Sequence, residues 1–107
     1  MKNMEANYNQ PHHVMLIFQH NTLPSPENEC IINDRCQFYQ KLKEESKLLF
    51  CGNFWNQGRS FTVLHINSAA EFEHIIDNDP GLKHGLVELE RAMPFTHEES
   101  LQHAMEW

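Results

Sequence analysis

The chain reads as an α+β domain of order β-α-β-β-α-β, and three observations predict it. Apolar runs of strand length fall at residues 13–19, 47–55, 60–66 and 86–93. Between the first and second runs, and again between the third and fourth, apolar side chains recur at helical spacing. Turn formers mark the junctions, with Pro24 and Pro26, then Asn56 with Gly58, then Asp79-Pro80-Gly81.

The first strand, residues 13–19, is apolar at both odd and even positions from Val14 to Phe18, the pattern of a strand covered on both faces. Ser25-Pro26-Glu27 then supplies an N-cap, a first-turn proline and a dipole-matched acid for a first helix. Ile31, Arg35, Phe38 and Leu42 recur on one face of that helix, which ends near Ser46. Residues 47–55 and 60–66 are rich in aromatic and β-branched side chains and flank the polar connection Asn56-Gln57-Gly58-Arg59, predicting an antiparallel pair. Ser68 with Glu71 forms a capping box opening a second helix, with Ala69, Phe72 and Ile76 inward and Asp79-Pro80-Gly81 as its stop. Residues 86–93 make the last strand, with Val87, Leu89 and Met93 on one face and Leu86 and Ala92 beside Glu88 and Glu90 on the other. Residues 1–11 are polar and aperiodic, a flexible leader. Thr96, Glu99, Leu101, Ala104 and Met105 predict an extra C-terminal helix over 96–107, leaving 12–95 as the domain.

This order is the ferredoxin-like arrangement, a four-stranded antiparallel sheet with two helices on one face. Strands one to three are apolar on both sides, so a second copy is expected to cover the other face, giving a homodimer.

A length of 107 residues allows one core and excludes a multidomain enzyme. With 40% apolar and 21% charged residues, wholesale disorder is excluded as well. Eight basic against 15 acidic residues give a net charge of −7, which leaves little basic surface for phosphates, so neither nucleic acid nor membrane is an expected partner. The apolar run 14–18 is far shorter than the roughly 20 residues of a membrane span, and no signal-type apolar segment precedes it, so a cytoplasmic location is expected. Cys30, Cys36 and Cys51 are odd in number and lack a CxxC pair, which predicts reduced thiols packed as small core hydrophobes. No metal-ligand spacing, Gly-rich phosphate loop or nucleophile elbow is present, and neither metal nor cofactor is expected.

The stretch KLLFCG from Lys47, the Asp79-Pro80 pair, Gly85 five positions beyond that proline and Pro94-Phe95 nine beyond Gly85 together resemble the YciI-like family over residues 13–95. The resemblance implies a protomer that pairs into a dimeric α+β barrel, with a pocket where a histidine of the first helix faces the aspartate of the Asp-Pro pair as an acid/base dyad. It also implies cofactor-free chemistry of lyase or dehydrochlorinase type on small phenolic compounds. Asp79 matches the family aspartate, and Gly52 and Ser46 stand where the family has glycines. At the histidine position this chain has Arg35.

Arg35 is also conspicuous without the resemblance. It interrupts an inward apolar stripe, and a buried cation needs a carboxylate or an anionic ligand. Pairing with Asp79 is the expectation. Arginine stays protonated and cannot be a general base, but it can anchor a carboxylate or enolate. Candidates for the missing base are His65, in phase with Phe61 and Val63, and His20, which closes the first strand. His84 is expected at the surface, and Glu88 with Glu90 on a wetted face. The sequence thus predicts a cofactor-free lyase- or isomerase-type enzyme for a small anionic or aromatic molecule, with Asp79, His65 and His20 as catalytic candidates and Arg35 binding substrate. The alternative is a catalytically inactive dimeric module that binds a small ligand or regulates. A cofactor-independent monooxygenase of the same architecture is the third and weakest reading.

Overall fold

The computed structural model describes residues 12–55 and 58–95. The expected leader, Asn56 and Gln57 of the hairpin, and the expected C-terminal helix lie outside the described residues. The elements are β1 (His12–His20), α1 (Glu29–Glu44), β2 (Leu48–Asn53), β3 (Arg59–Ile66), α2 (Ala69–Asn78), α3 (Pro80–Lys83) and β4 (Val87–Phe95). They form the α+β fold predicted: one sheet of order β2-β3-β1-β4, with antiparallel pairing throughout. No described helix is long and apolar enough to cross a membrane.

One sheet face carries the core. Val14, Leu16 and Phe18 alternate onto it from β1 and pair across to Leu64, Thr62 and Ser60 of β3. Leu42 of α1 and Phe72 and Ile75 of α2 close over them. Each of these apolar side chains is buried, which is the main stabilising contribution of the fold. In α2 the inward residue is Ile75, with Ile76 half-buried beside it, a shift of one position from the sequence reading. The capping box is present: Ser68 Oγ accepts from the Glu71 amide at 3.1 Å, and Glu71 Oε1 accepts from the Asn67 amide at 3.0 Å.

Four other local readings are corrected. Helix α1 starts at Glu29, later than Ser25-Pro26-Glu27 suggested, because Asn28 folds the preceding turn: its Oδ1 accepts from the Ser25 amide and its Nδ2 donates to the Leu23 carbonyl. The Asp79-Pro80-Gly81 stop ends α2 as read, and it also starts the short helix α3. Strand β4 has a register shift opposite Ile17 and Phe18, so Val87 and Leu89 face the helices while Met93 pairs with Met15 on the other face. The strand also runs on through Pro94, tolerable because β4 is an edge. Finally, all three cysteines are free thiols, as expected, but exposed rather than packed in the core.

The C-terminus of α1 explains Ser46. The Lys47 amide donates to the Leu42 carbonyl at 2.8 Å and the Ser46 amide to the Lys43 carbonyl at 3.0 Å, a Schellman closure with Ser46 at φ 63°.

The other sheet face has no helix among the described residues. It carries His13, Met15, Ile17, Phe61, His65 and Met93 around a buried Val63, with Phe50 56% and Phe95 38% exposed at its margins.

Candidate functional site

The site begins with a change of side-chain size along the core face. Leu64 and Ile66 fill one half of β3, whereas Thr62 and Ser60 occupy the same face further along, paired with Cys51 and Asn53 of β2. Small polar groups leave space beneath α1. A cavity of 460 Å³ opens there, floored by Cys51, Ser60 and Thr62, with His20 at the end of β1 and Arg35 and Tyr39 above.

Arg35 is held from behind. Pro80 keeps Asp79 extended (φ −68°, ψ 115°), which ends α2 and makes Asp79 the N-cap of α3. Its carboxylate, with no solvent exposure, accepts from the Gly81 amide at 2.8 Å and the Leu82 amide at 3.4 Å. From α1, Arg35 Nε donates to Oδ1 at 3.0 Å and Oδ2 at 3.2 Å, and the Tyr39 hydroxyl donates to Oδ2 at 2.6 Å. Burial, then the charge of Asp79 and the hydrogen bond to it, push the Tyr39 phenol well above its usual range, so it remains a donor. Gly81 is needed for this approach: a Cβ there would sit 2.6 Å from Arg35 Cδ and 2.8 Å from Nε.

The guanidinium carbon lies 4.7 Å from the centre of the Phe18 ring and 5.1 Å from that of Tyr39. Nε is committed to Asp79 and the guanidinium also hydrogen-bonds Tyr39, while the side chain lines the cavity. The remaining N–H donors of its planar fork suit a carboxylate or a planar oxyanion. The cavity wall also includes Lys43 and, among the described residues, no Asp or Glu, in a chain with 15 acids and eight bases. Of the two cations on that wall, Arg35 is paired with Asp79 behind it and Lys43 is in no ion pair with a described residue.

His20 and Ser60 form a hydrogen-bonded pair at 2.8 Å between His20 Nε2 and Ser60 Oγ. Partial burial, then the nearby charge of Arg35, lower the His20 pKa below 6.5. The imidazole is therefore neutral at pH 7 and able to accept a proton.

The four residues singled out from sequence are thus distributed over two faces and two depths. Arg35 and His20 line the cavity, while Asp79 is sealed behind Arg35 and does not reach the cavity wall. His65 pairs with His13 on the helix-free face, their rings 5.0 Å apart edge to face, so it is not part of this cavity. Sequence reasoning missed Tyr39, Ser60, Lys43 and Gly81. Tyr39 was the most accessible of these, one helical turn beyond Arg35 on the same face. Among the described residues no group of three or more His, Cys, Asp or Glu side chains gathers as a metal site would require.

No protein-family model matches the sequence, and no curated protein sequence matches it. Among solved structures the fold is similar to that of 5-chloro-2-hydroxyhydroquinone dehydrochlorinase (TftG) from Burkholderia phenoliruptrix, in complex with 2,5-dihydroxybenzoquinone. The match has 18% identity, 84% of this chain and 97% of that one covered, and a TM-score of 0.50. MupZ from Pseudomonas fluorescens aligns over 90% of this chain and 79% of its own with 18% identity and a TM-score of 0.48. The likeness to the dehydrochlorinase, nearly end to end in that chain, is one of fold: this chain has the same ferredoxin-like α+β architecture.

Proposed function

We propose that the cavity between α1 and the β2–β3 edge binds a small organic anion, and that the protein carries out cofactor-free proton-transfer chemistry of lyase or isomerase type on it. The observation that carries this reading is Arg35: fixed through Nε by a buried carboxylate, with its guanidinium on a cavity wall that has no acidic residue among the described residues. An anion seated on that fork adds charge-assisted hydrogen bonds to a guanidinium already positioned by Asp79 and flanked by Phe18 and Tyr39. In this reading neutral His20, oriented by Ser60, takes a proton from a carbon next to the bound acid or carbonyl group. Arg35 stabilises the negative charge that develops. Asp79 acts as a positioning residue for Arg35 rather than as the acid/base group that the family resemblance implied. The dehydrochlorinase of the same fold has been captured with 2,5-dihydroxybenzoquinone, and our reading gives this chain a ligand of comparable size.

One feature favours the alternative of a binding module without turnover. Asp79, where the resemblance puts catalytic chemistry, is saturated with donors and out of reach. Turnover separates the two. Wild-type protein and His20→Gln are incubated with carbon acids bearing a carboxylate in deuterated water, and solvent deuterium incorporation is followed by NMR. Exchange that is lost in His20→Gln while binding persists supports the enzyme; binding without exchange in the wild type supports the module.

We propose further that the helix-free face pairs with a second copy. Phe50, Phe54 and Phe95 around half-buried Met15, Ile17 and Met93 make a broad apolar surface. Light scattering on the eluting species gives the test: a dimer mass is expected, and a monomer at all concentrations overturns it.

A further inference from the structure

The cavity has a second cation that the proton-transfer reading does not use. Lys43 lies on the same helix as Arg35, eight residues on, or about 12 Å along the axis. It lines the cavity too, but from the solvent-exposed last turn of α1. The other lysine near this helix end, Lys47, is engaged with Glu71 at 3.2 Å and Glu45 at 3.9 Å. Lys43 makes no ion pair with a described residue, although Glu44 and Glu45 adjoin it in sequence. The space between the two cations is apolar or neutral, walled by Tyr39, Cys36, Leu48 and Gln40.

We propose that this cavity selects a dianion: a molecule with an acidic group at each end of an aromatic ring or short carbon chain, one end on the Arg35 fork and the other meeting Lys43 at the rim. The inference rests on the anion-binding reading above and deepens it by naming the ligand class. Arg35 supplies most of the affinity because its charge is largely desolvated and pre-positioned, whereas Lys43, a mobile exposed ammonium, supplies discrimination. A single charge pair at such a rim is worth about fivefold in affinity at low salt, and is screened as salt rises. Lys43 is therefore a specificity-determining residue.

The test uses three probes of one shape: terephthalate, its monomethyl ester and benzoate. Each is titrated into the wild type and Lys43→Gln by calorimetry at low ionic strength. Terephthalate is expected to bind wild type about fivefold more tightly than the monoester. Lys43→Gln should abolish that advantage while leaving benzoate and the monoester unchanged. Lys43 is exposed and bears no ion pair, so this variant is expected to fold, with circular dichroism as the check. Equal affinity of diacid and monoester, or equal weakening of all three probes by Lys43→Gln, overturns the dianion inference and leaves anion binding standing. Failure of all three probes to bind the wild type overturns both.

Discussion

Replacing Arg35 by leucine deprives Asp79 of its cation while the carboxylate stays without solvent contact. Removing one partner of a buried pair costs about 3–5 kcal/mol. Two features put the expected loss near the lower end, about 3 kcal/mol. Arg35 keeps 20% of its side chain in solvent, and Asp79 retains the Tyr39 hydroxyl at 2.6 Å and the Gly81 amide at 2.8 Å. In a domain of this size each kcal/mol moves the melting temperature by about 4–8 °C, so a fall of roughly 12–24 °C is expected in a thermal melt at neutral pH. The double variant with Asp79→Asn removes the stranded charge and keeps an oxygen for Gly81. It should recover about 1–3 kcal/mol relative to the sum of the single changes. A melting temperature for Arg35→Leu within error of wild type would refute the claim that Asp79 is sealed and dependent on Arg35.

Ser46→Gly should stabilise the fold by about 1 kcal/mol, seen as a rise of a few degrees in melting temperature, because residue 46 stands at φ 63° in the Schellman closure; no rise contradicts that geometry. Gly81→Ala puts a methyl group 2.6 Å from Arg35 Cδ, and the displaced guanidinium should weaken benzoate binding by about tenfold, with calorimetry as the readout. The His20 pKa lies below 6.5 in the folded state, so the unfolded chain takes up this proton first as pH falls. The stability involved is fully present above about pH 6.5 and is lost below it, and urea unfolding at about pH 8 and about pH 5 should show a smaller difference for His20→Gln than for wild type. Tyr39→Phe should cost about 1.5–3 kcal/mol, since it withdraws a hydrogen bond from a buried charge.

The fold was legible because its pattern is local. Val14 to Phe18 announced a strand through its own apolar run, and Ser68 with Glu71 announced α2 through groups three residues apart. Where the reading slipped, a contact distant in sequence had decided the matter. Met93 faces away from the helices because of a register shift against Ile17 and Phe18, which no periodicity within residues 86–93 encodes. Arg35 was legible as a cation in an apolar stripe, and its demand for a carboxylate named Asp79 correctly as its partner. The depth of Asp79 was not legible, because Asp-Pro terminates a helix in the same way whether the aspartate is wet or sealed. Nor was the His20–Ser60 pair, 40 residues apart and created by the β1–β3 register. His65 looked equivalent to His20 in the sequence, yet strand parity sends it to the opposite face.

The central claim is that the described cavity is an anion site anchored on Arg35, and amide and guanidinium NMR shifts during a benzoate titration test it most directly. The account predicts saturable shifts of the Arg35 side chain together with the amides of Cys51, Ser60 and Thr62, lost in Arg35→Lys, whose ammonium cannot offer the fork. Shifts confined to the helix-free face around Phe50, Met15 and Met93, or an unchanged titration in Arg35→Lys, would contradict it.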